Sequence, residues 1–237
     1  MTDNVQILNE IEKAAFLCEK EYSHEQIIDV MKTENDFEKQ ICILKLKTLK
    51  SQEEADLLVF QLTEHHGLIR EASASKINEF ILEKKLNSLF LNQYASEAFI
   101  KAVNDINPNI CRLICAVLKP LFDTNEEEKR LFLNSLYRRF EKIFEELEHL
   151  KRSRLYTKKL FNLYWSLEAL AMLEPEADEK LESVISVASS LRDYTIREKA
   201  AMVLSSLNVS SENLEKVKAK LKDDENFYVK RYAEAFN

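Results

Sequence analysis

The chain has 237 residues, 46% hydrophobic and 32% charged, which is enough to bury a substantial core and too apolar for a disordered chain. One Gly and three Pro, against roughly sixteen and twelve in an average chain of this length, exclude a protein rich in hairpins and any Gly-rich nucleotide loop. The net charge of −7 argues for a solvated acidic surface and against bulk binding to nucleic acid or membranes.

Almost continuous helical periodicity follows in chain order. Ile7, Ile11, Ala14 and Cys18 form an apolar stripe at helical spacing. Ser23 with Gln26 reads as a capping box opening the next helix, and Ser51 with Glu54 and Thr124 with Glu127 repeat the signal. Asn107 precedes Pro108, a residue suited to a first helical turn because its missing N–H costs nothing there, and Pro175 after Glu174 is expected to open a helix the same way. The stripe Leu133, Leu136, Tyr137, Phe140, Ile143, Phe144, Leu147 predicts a long helix from about Glu126 to Leu150, with Glu126, Glu127 and Glu128 complementing its dipole. A second clean stripe runs through Leu160, Leu163, Tyr164, Leu167, Leu170 and Ala171. The expectation is an all-α chain of about eleven or twelve helices joined by short polar turns, with no strand and no flexible linker.

No run of apolar residues is long enough to span a membrane. The polar, acidic N-terminus lacks the basic start and apolar stretch of a secretory signal, so a cytoplasmic location is expected. Cys18, Cys42, Cys111 and Cys115 then read as reduced thiols in apolar surroundings.

Residues with chemical potential are sparse. His65 and His66 are adjacent, so on a helix they point about 100° apart and read as a surface turn beside Gly67 rather than a metal site. Cys111 and Cys115 share a helix face, but two ligands do not complete a zinc set. His24 and His149 stand alone, and no hydrolase, zincin or kinase signature is present. No catalytic residue, metal or cofactor is expected. One local feature departs from the acidic whole: Lys129 to Lys159 carries ten Lys or Arg and four Glu, a net of +6 that leaves −13 for the remainder. Lys151, Arg152, Arg154, Lys158 and Lys159 span one helix–helix junction, with Arg138, Arg139 and Lys142 just before it. This is either a solvated face whose cations complement a helix C-terminus near Leu150, or a patch for an acidic partner segment or phosphates. Tyr164 and Trp165 flank the apolar stripe and fit either core packing or an aromatic recognition surface.

The chain also repeats itself. "DYTIREKAAMVLSSL" (193–207) and "GLIREASASKINEF" (67–80) superpose with Ile196 over Ile69, Ala200 over Ser73, Leu204 over Ile77 and Leu207 over Phe80. "NFYVKRYAEAF" adds Val229, Ala233 and Phe236, and "NPNICRLICAVLKPL" adds Ile110 with Ile114 at the small position. Asp193, Asn226, Asn107 and His66 lie three residues before the aliphatic, and the first three are suited to cap a helix. The spacings are 41, 86 and 33, and the gap of 86 has room for two units with "LFNLYWSLEAL" between.

This pattern resembles HEAT repeats, whose second helix opens with an Asp, then an aliphatic-Arg pair, a small residue and two aliphatics. The resemblance covers about two thirds of the chain; "NDFEKQICILKLKTL" matches weakly, and residues 124 to 175 depart from it. It implies a single α–α superhelix over residues 1–237, a HEAT-like solenoid, and a protein-interaction scaffold or adaptor rather than an enzyme. The expected partner is an unidentified protein with an acidic segment, held by Arg138, Arg139, Lys151, Arg152, Arg154, Lys158, Lys159, Tyr164 and Trp165; neither nucleic acid nor membrane is expected. The alternative is that of HEAT-like DNA glycosylases for alkylated bases, which resemble this chain in size and set an acid and aromatics in a basic concave face. Tyr164, Trp165 and Glu168 lie close together in that manner, but the acidic total charge counts against it. A HEAT-like lyase or cofactor-attaching helper is a further enzymatic alternative that no residue selects.

Overall fold

A computed structural model describes residues 12, 15–150, 153–207 and 211–234. Among them there is no strand, and a helical stretch at 15–19 is followed by α1 (His24–Met31), α2 (Asp36–Lys45), α3 (Gln52–Gln61) and α4 (Gly67–Leu82), then a short 3₁₀ turn (Asn87–Phe90). Next come α5 (Gln93–Val103), α6 (Pro108–Phe122), α7 (Glu126–His149), α8 (Arg154–Leu173), α9 (Glu179–Ala188), α10 (Tyr194–Ser205), α11 (Glu212–Lys222) and α12 (Phe227–Ala233). The chain divides into two compact units, Met1–Phe90 and Leu91–Asn237.

In the first unit, α1–α2 and α3–α4 are two packed pairs whose second helices, α2 and α4, pack on each other. Polar side chains tie the pairs together. Gln61, buried on α3, donates to the Met31 carbonyl at the end of α1 (3.1 Å), and Ser73 at the small position of α4 donates to the Leu58 carbonyl (2.6 Å). His24, read as isolated, lies 2.8 Å from Glu54, so α1 is clamped to α3. The Ser23–Gln26 capping box forms as expected. At Ser51 only half of it does: the hydroxyl accepts from Glu54 N–H, while the Glu54 carboxylate turns to the Lys50 N–H (2.7 Å).

The second unit contains four pairs, α5–α6, α7–α8, α9–α10 and α11–α12. Each second helix packs on the next, α6 on α8, α8 on α10 and α10 on α12, and successive first helices also touch, forming a second row. The long helix ends one residue short of the predicted bound, and α8 carries the "LFNLYWSLEAL" segment between the flanking repeats. The α7 stripe is buried at Leu136, Tyr137, Phe140, Ile143 and Leu147, while Leu133 and Phe144 are half-buried. Phe122 closes α6 against Phe132 of α7, with ring centroids 5.2 Å apart.

The repeat register has a physical cause. Asp193, Asn226 and Asn107 each accept from the N–H two residues on, as helix caps, whereas His66 makes no such bond. The residue after the first aliphatic reaches back to carbonyls five or six positions earlier. Arg70 Nη1 donates to Glu64 and His65 (2.9 and 2.8 Å), Arg197 Nη1 to Leu191 and Arg192 (3.1 and 2.7 Å), and Cys111 Sγ to Asp105 (3.3 Å). The slot therefore ties off the end of the preceding turn, whose carbonyls have no helical partner. Arg197 also grips Asp224 with two bonds (Nε–Oδ2 2.6 Å, Nη2–Oδ1 3.0 Å), joining α10 to the turn before α12. Ala200 and Ala233 are fully buried at the small position, where a larger side chain would hold the helices apart.

Three expectations are corrected. Cys18 is exposed, and its neighbour Leu17 takes the buried place, one residue and about 100° around the helix. Ile7, Ile11, Ala14 and Phe236 lie outside the described residues. Asn125, not Thr124, precedes the first turn of α7; its amide donates to the Thr124 hydroxyl (3.1 Å) and does not cap. Pro175 does not open a helix. Glu174 closes α8 in the left-handed conformation (φ 45°), Pro175 follows it as proline commonly follows a helix end, and α9 begins at Glu179 behind the cap Asp178.

Candidate protein-interaction site

The segment 129–159 becomes the length of α7 and the first turns of α8, and packing of the two helices sorts its charges. Arg139 faces α8. There the buried Asn162, in the amide orientation that satisfies both neighbours, accepts from Arg139 Nη2 (3.2 Å) and donates to the Lys158 carbonyl (3.2 Å). Two turns further along α7, Glu146 pairs with Lys159. The Lys159 hydrogen bond holds the Glu146 carboxyl below the usual carboxylate range, with help from the charges of Lys159, Arg139 and Lys142. Arg139 and Lys159 are thus engaged in the α7–α8 seam.

Arg138, Lys142, Arg154 and Lys158 are exposed. Arg138 shares a small groove with Glu97 and Glu128, so acids stand close to its charge. Arg154 and Lys158 lie one turn apart on α8, which Ser153 caps by accepting from Tyr156 N–H (3.2 Å). Lys151 and Arg152 lie outside the described residues.

Tyr164 and Trp165 are half-buried on α8. Their rings meet edge-on at 5.4 Å, and Phe161 meets Trp165 likewise at 6.3 Å. Lys199 of α10 sits over the Tyr164 ring, 4.7 Å from its centroid, and pairs with Glu168. Burial would lower the Lys199 pKa, but the hydrogen bond and charge of Glu168 outweigh it, and the ammonium is held above the ordinary lysine value. A salt bridge with these two side chains mostly sheltered consumes the one carboxylate that stood beside the aromatics.

Cys42, Cys111 and Cys115 are buried, and burial pushes the Cys42 thiol up to about 11 and the Cys111 thiol up to about 12, so none is poised as a nucleophile or metal ligand. His65 and His66 are exposed at the turn before α4. Among the described residues no three His, Cys, Asp or Glu side chains converge to hold an ion, and no helix is long and apolar enough to cross a membrane.

One feature escaped the sequence. Where the end of α7 meets the first turns of α8 and α10, Leu147, Leu150, Tyr156, Leu160 and Tyr194 wall an open groove of about 660 Å³ that Arg192 and Asp193 also line. Its walls come from three helix ends, each carrying an ordinary apolar residue. The D-x-N spacing of Asp105–Asn107 and Asp224–Asn226 is a sequence signal for the turn before the cap: each Asp accepts from the Asn N–H (2.8 and 2.9 Å) and fixes that turn.

No family model and no curated protein matches the sequence. Solved structures are similar in fold. A designed armadillo repeat protein in complex with the peptide (KR)4 gives a TM-score of 0.57 at 13% identity, covering 91% of this chain and 100% of that one. An engineered protein from the Northeast Structural Genomics Consortium gives 0.56 at 12% identity, covering 91% and 97%. The archaeal HEAT-like repeats protein from Thermococcus onnurineus NA1 gives 0.52 at 12% identity, covering 91% and 79%. The paired helices, the stacked second-helix row and these likenesses together make the fold an all-α, armadillo/HEAT-like solenoid.

Proposed function

We propose that the chain is a cytoplasmic protein-interaction scaffold that binds an acidic segment of a partner protein through the cations of the α7–α8 region. The observation that carries this reading is the charge reversal: a segment of net +6 stands in a chain that is otherwise −13, and Arg154, Lys158, Arg138 and Lys142 remain exposed after α7 and α8 have packed. A helix seam needs only the Arg139 and Lys159 contacts, and solubility needs net charge of either sign, so neither accounts for the surplus. Tyr164 and Trp165 are assigned to the same surface as half-buried anchors. A similar designed armadillo protein holds the basic peptide (KR)4; the exposed cations here call for a ligand of the opposite sign. The glycosylase alternative loses support, because the Glu168 carboxylate is committed to Lys199.

The test is a titration of a labelled Glu-rich dodecapeptide and of a duplex DNA of equal charge at several salt concentrations. The peptide is expected to bind, and reversal to Glu at Arg154 and Lys158 to slow its association and flatten the salt dependence. Failure of the peptide to bind, or preferred binding of DNA with a steep log–log salt slope, overturns the reading.

A further inference from the structure

We propose that the groove walled by Leu147, Leu150, Tyr156, Leu160 and Tyr194 receives an aromatic or branched aliphatic anchor side chain from a partner segment whose flanking residues are acidic. The inference rests on the acidic-partner reading above and adds the residue that such a segment inserts. At about 660 Å³ the groove is of the size that binds organic side chains and small ligands, and its walls are two aromatic and three Leu side chains.

The groove does not end at its own walls. It brings Tyr156 from the first turn of α8 beside Tyr194 from the first turn of α10, and Tyr194 stacks on Tyr228 from the first turn of α12, with centroids 6.4 Å apart. The first turns of successive second helices therefore lie side by side. Along this edge Leu155 is 57% exposed, Tyr194 43%, Tyr228 53% and Phe227 70%. Scattered exposed apolar residues need no explanation, but a run of them continuous with an apolar groove marks an interaction surface.

Charge complementarity selects the occupant. Arg192 and Asp193 are the charged residues lining the groove. Asp193 is committed to capping α10, accepting from the Thr195 N–H (2.9 Å) and hydroxyl (2.6 Å). Arg192 is exposed, and Arg154 and Lys158 are exposed on the helix that supplies Tyr156 and Leu160. Against these three exposed cations stand the capping Asp193 carboxylate and the exposed Glu148 of α7, so the surroundings of the apolar seat carry a cationic surplus, the arrangement of a buried anchor within a polar rim.

The test begins with selection of a random dodecapeptide phage library on the full chain. A synthetic peptide of the enriched sequence is then titrated by fluorescence anisotropy. The expected sequence fixes one Phe, Tyr, Trp, Leu, Ile or Val with acids on either side. Y194A is expected to weaken that peptide at least about tenfold, as loss of an anchor contact does. R192E, at an exposed side chain that carries no part of the fold, is expected to weaken it through the flanking acids; circular dichroism shows that both variants remain folded. An enriched sequence with acids but no fixed apolar position, or a peptide indifferent to Y194A, overturns the groove while sparing the acidic-partner reading. A fixed apolar position without acids overturns the acidic-partner reading and the occupant proposed here. Concentration-dependent self-association that Y194A abolishes assigns the groove to a second copy of the chain and overturns the proposal.

Discussion

Arg197→Ala removes a side chain of the repeat motif that makes four hydrogen bonds. It deletes the two bonds to Asp224 (2.6 and 3.0 Å) and the two to the Leu191 and Arg192 carbonyls (3.1 and 2.7 Å). The Arg197 and Asp224 side chains are 12% and 9% exposed, so the carboxylate left behind is largely buried, retaining the Asn226 N–H as a donor (2.9 Å). Breaking a buried pair costs about 3–5 kcal/mol, and the remaining donor and entering water place this case near the lower figure, about 3 kcal/mol. For a unit of this size that corresponds to a fall in Tm of roughly 6–12 °C. Because a stacked array loses structure at its weakest neighbour contacts first, the change should concentrate in α11 and α12. Thermal melting with hydrogen exchange resolved by segment measures both. Arg197→Lys keeps the charge but not the planar fork, and should recover less than half of the loss. A variant that melts within a degree of the wild type, with unchanged exchange in α11 and α12, refutes the assignment of Arg197 as a joint between repeats.

Three further outcomes are expected. Ala200→Phe overpacks the fully buried contact of α10 and should cost about 1–3 kcal/mol in chemical denaturation; an unchanged midpoint would show that the repeat alignment is misplaced. The Arg197 hydrogen bond lowers the Asp224 pKa, so this carboxylate contributes stability above its unfolded pKa of about 4, and the contribution is lost as pH falls through the lower folded value. The Tm gap between wild type and Asp224→Asn should therefore be widest near neutrality and close on acidification, and a gap independent of pH contradicts the pairing. Exposed Cys18 should react with a thiol reagent in the native state while Cys42, Cys111 and Cys115 react only on unfolding, and a second fast thiol would contradict the packing of α2 or α6.

The sequence was most legible where a signal repeats along one element. The α7 stripe and its three leading Glu residues located that helix to within one residue at its end. Single-residue signals were weaker, because Pro suits the position after a helix end as well as a first turn, and Pro175 took the former. Leu17 and Cys18 show how one step around a helix exchanges core for solvent. The same step separates Arg138 from Arg139, so the +6 segment could be counted from sequence but not sorted into cations that bind α8 and cations that remain outside. The Lys199–Glu168 pair spans 31 residues and two helices, and the groove at Tyr194 draws on three helix ends. Both depend on how neighbouring repeats dock, which no local periodicity encodes.

Cys111 occupies the place that Arg197 fills in a later repeat, and the exchange gives the joints of the second unit unequal resistance to temperature. The thiol ties off the Asp105 carbonyl but carries neither the length nor the charge to reach a following turn, so the contact of α6 with α8 has buried apolar side chains, the Cys115 Sγ bond to the Trp165 carbonyl (3.9 Å) and the exposed Lys119–Glu174 pair, and no charged strap at this slot. The contact of α10 with α12 adds the sheltered Arg197–Asp224 strap. Apolar contacts weaken on cooling, whereas the desolvation penalty of an ion pair shrinks on heating. Cold therefore slackens the α6–α8 joint first, and warmth spares longest the α8–α10 and α10–α12 joints strapped by sheltered ion pairs, so a stack of look-alike repeats yields from the same end at both thermal limits.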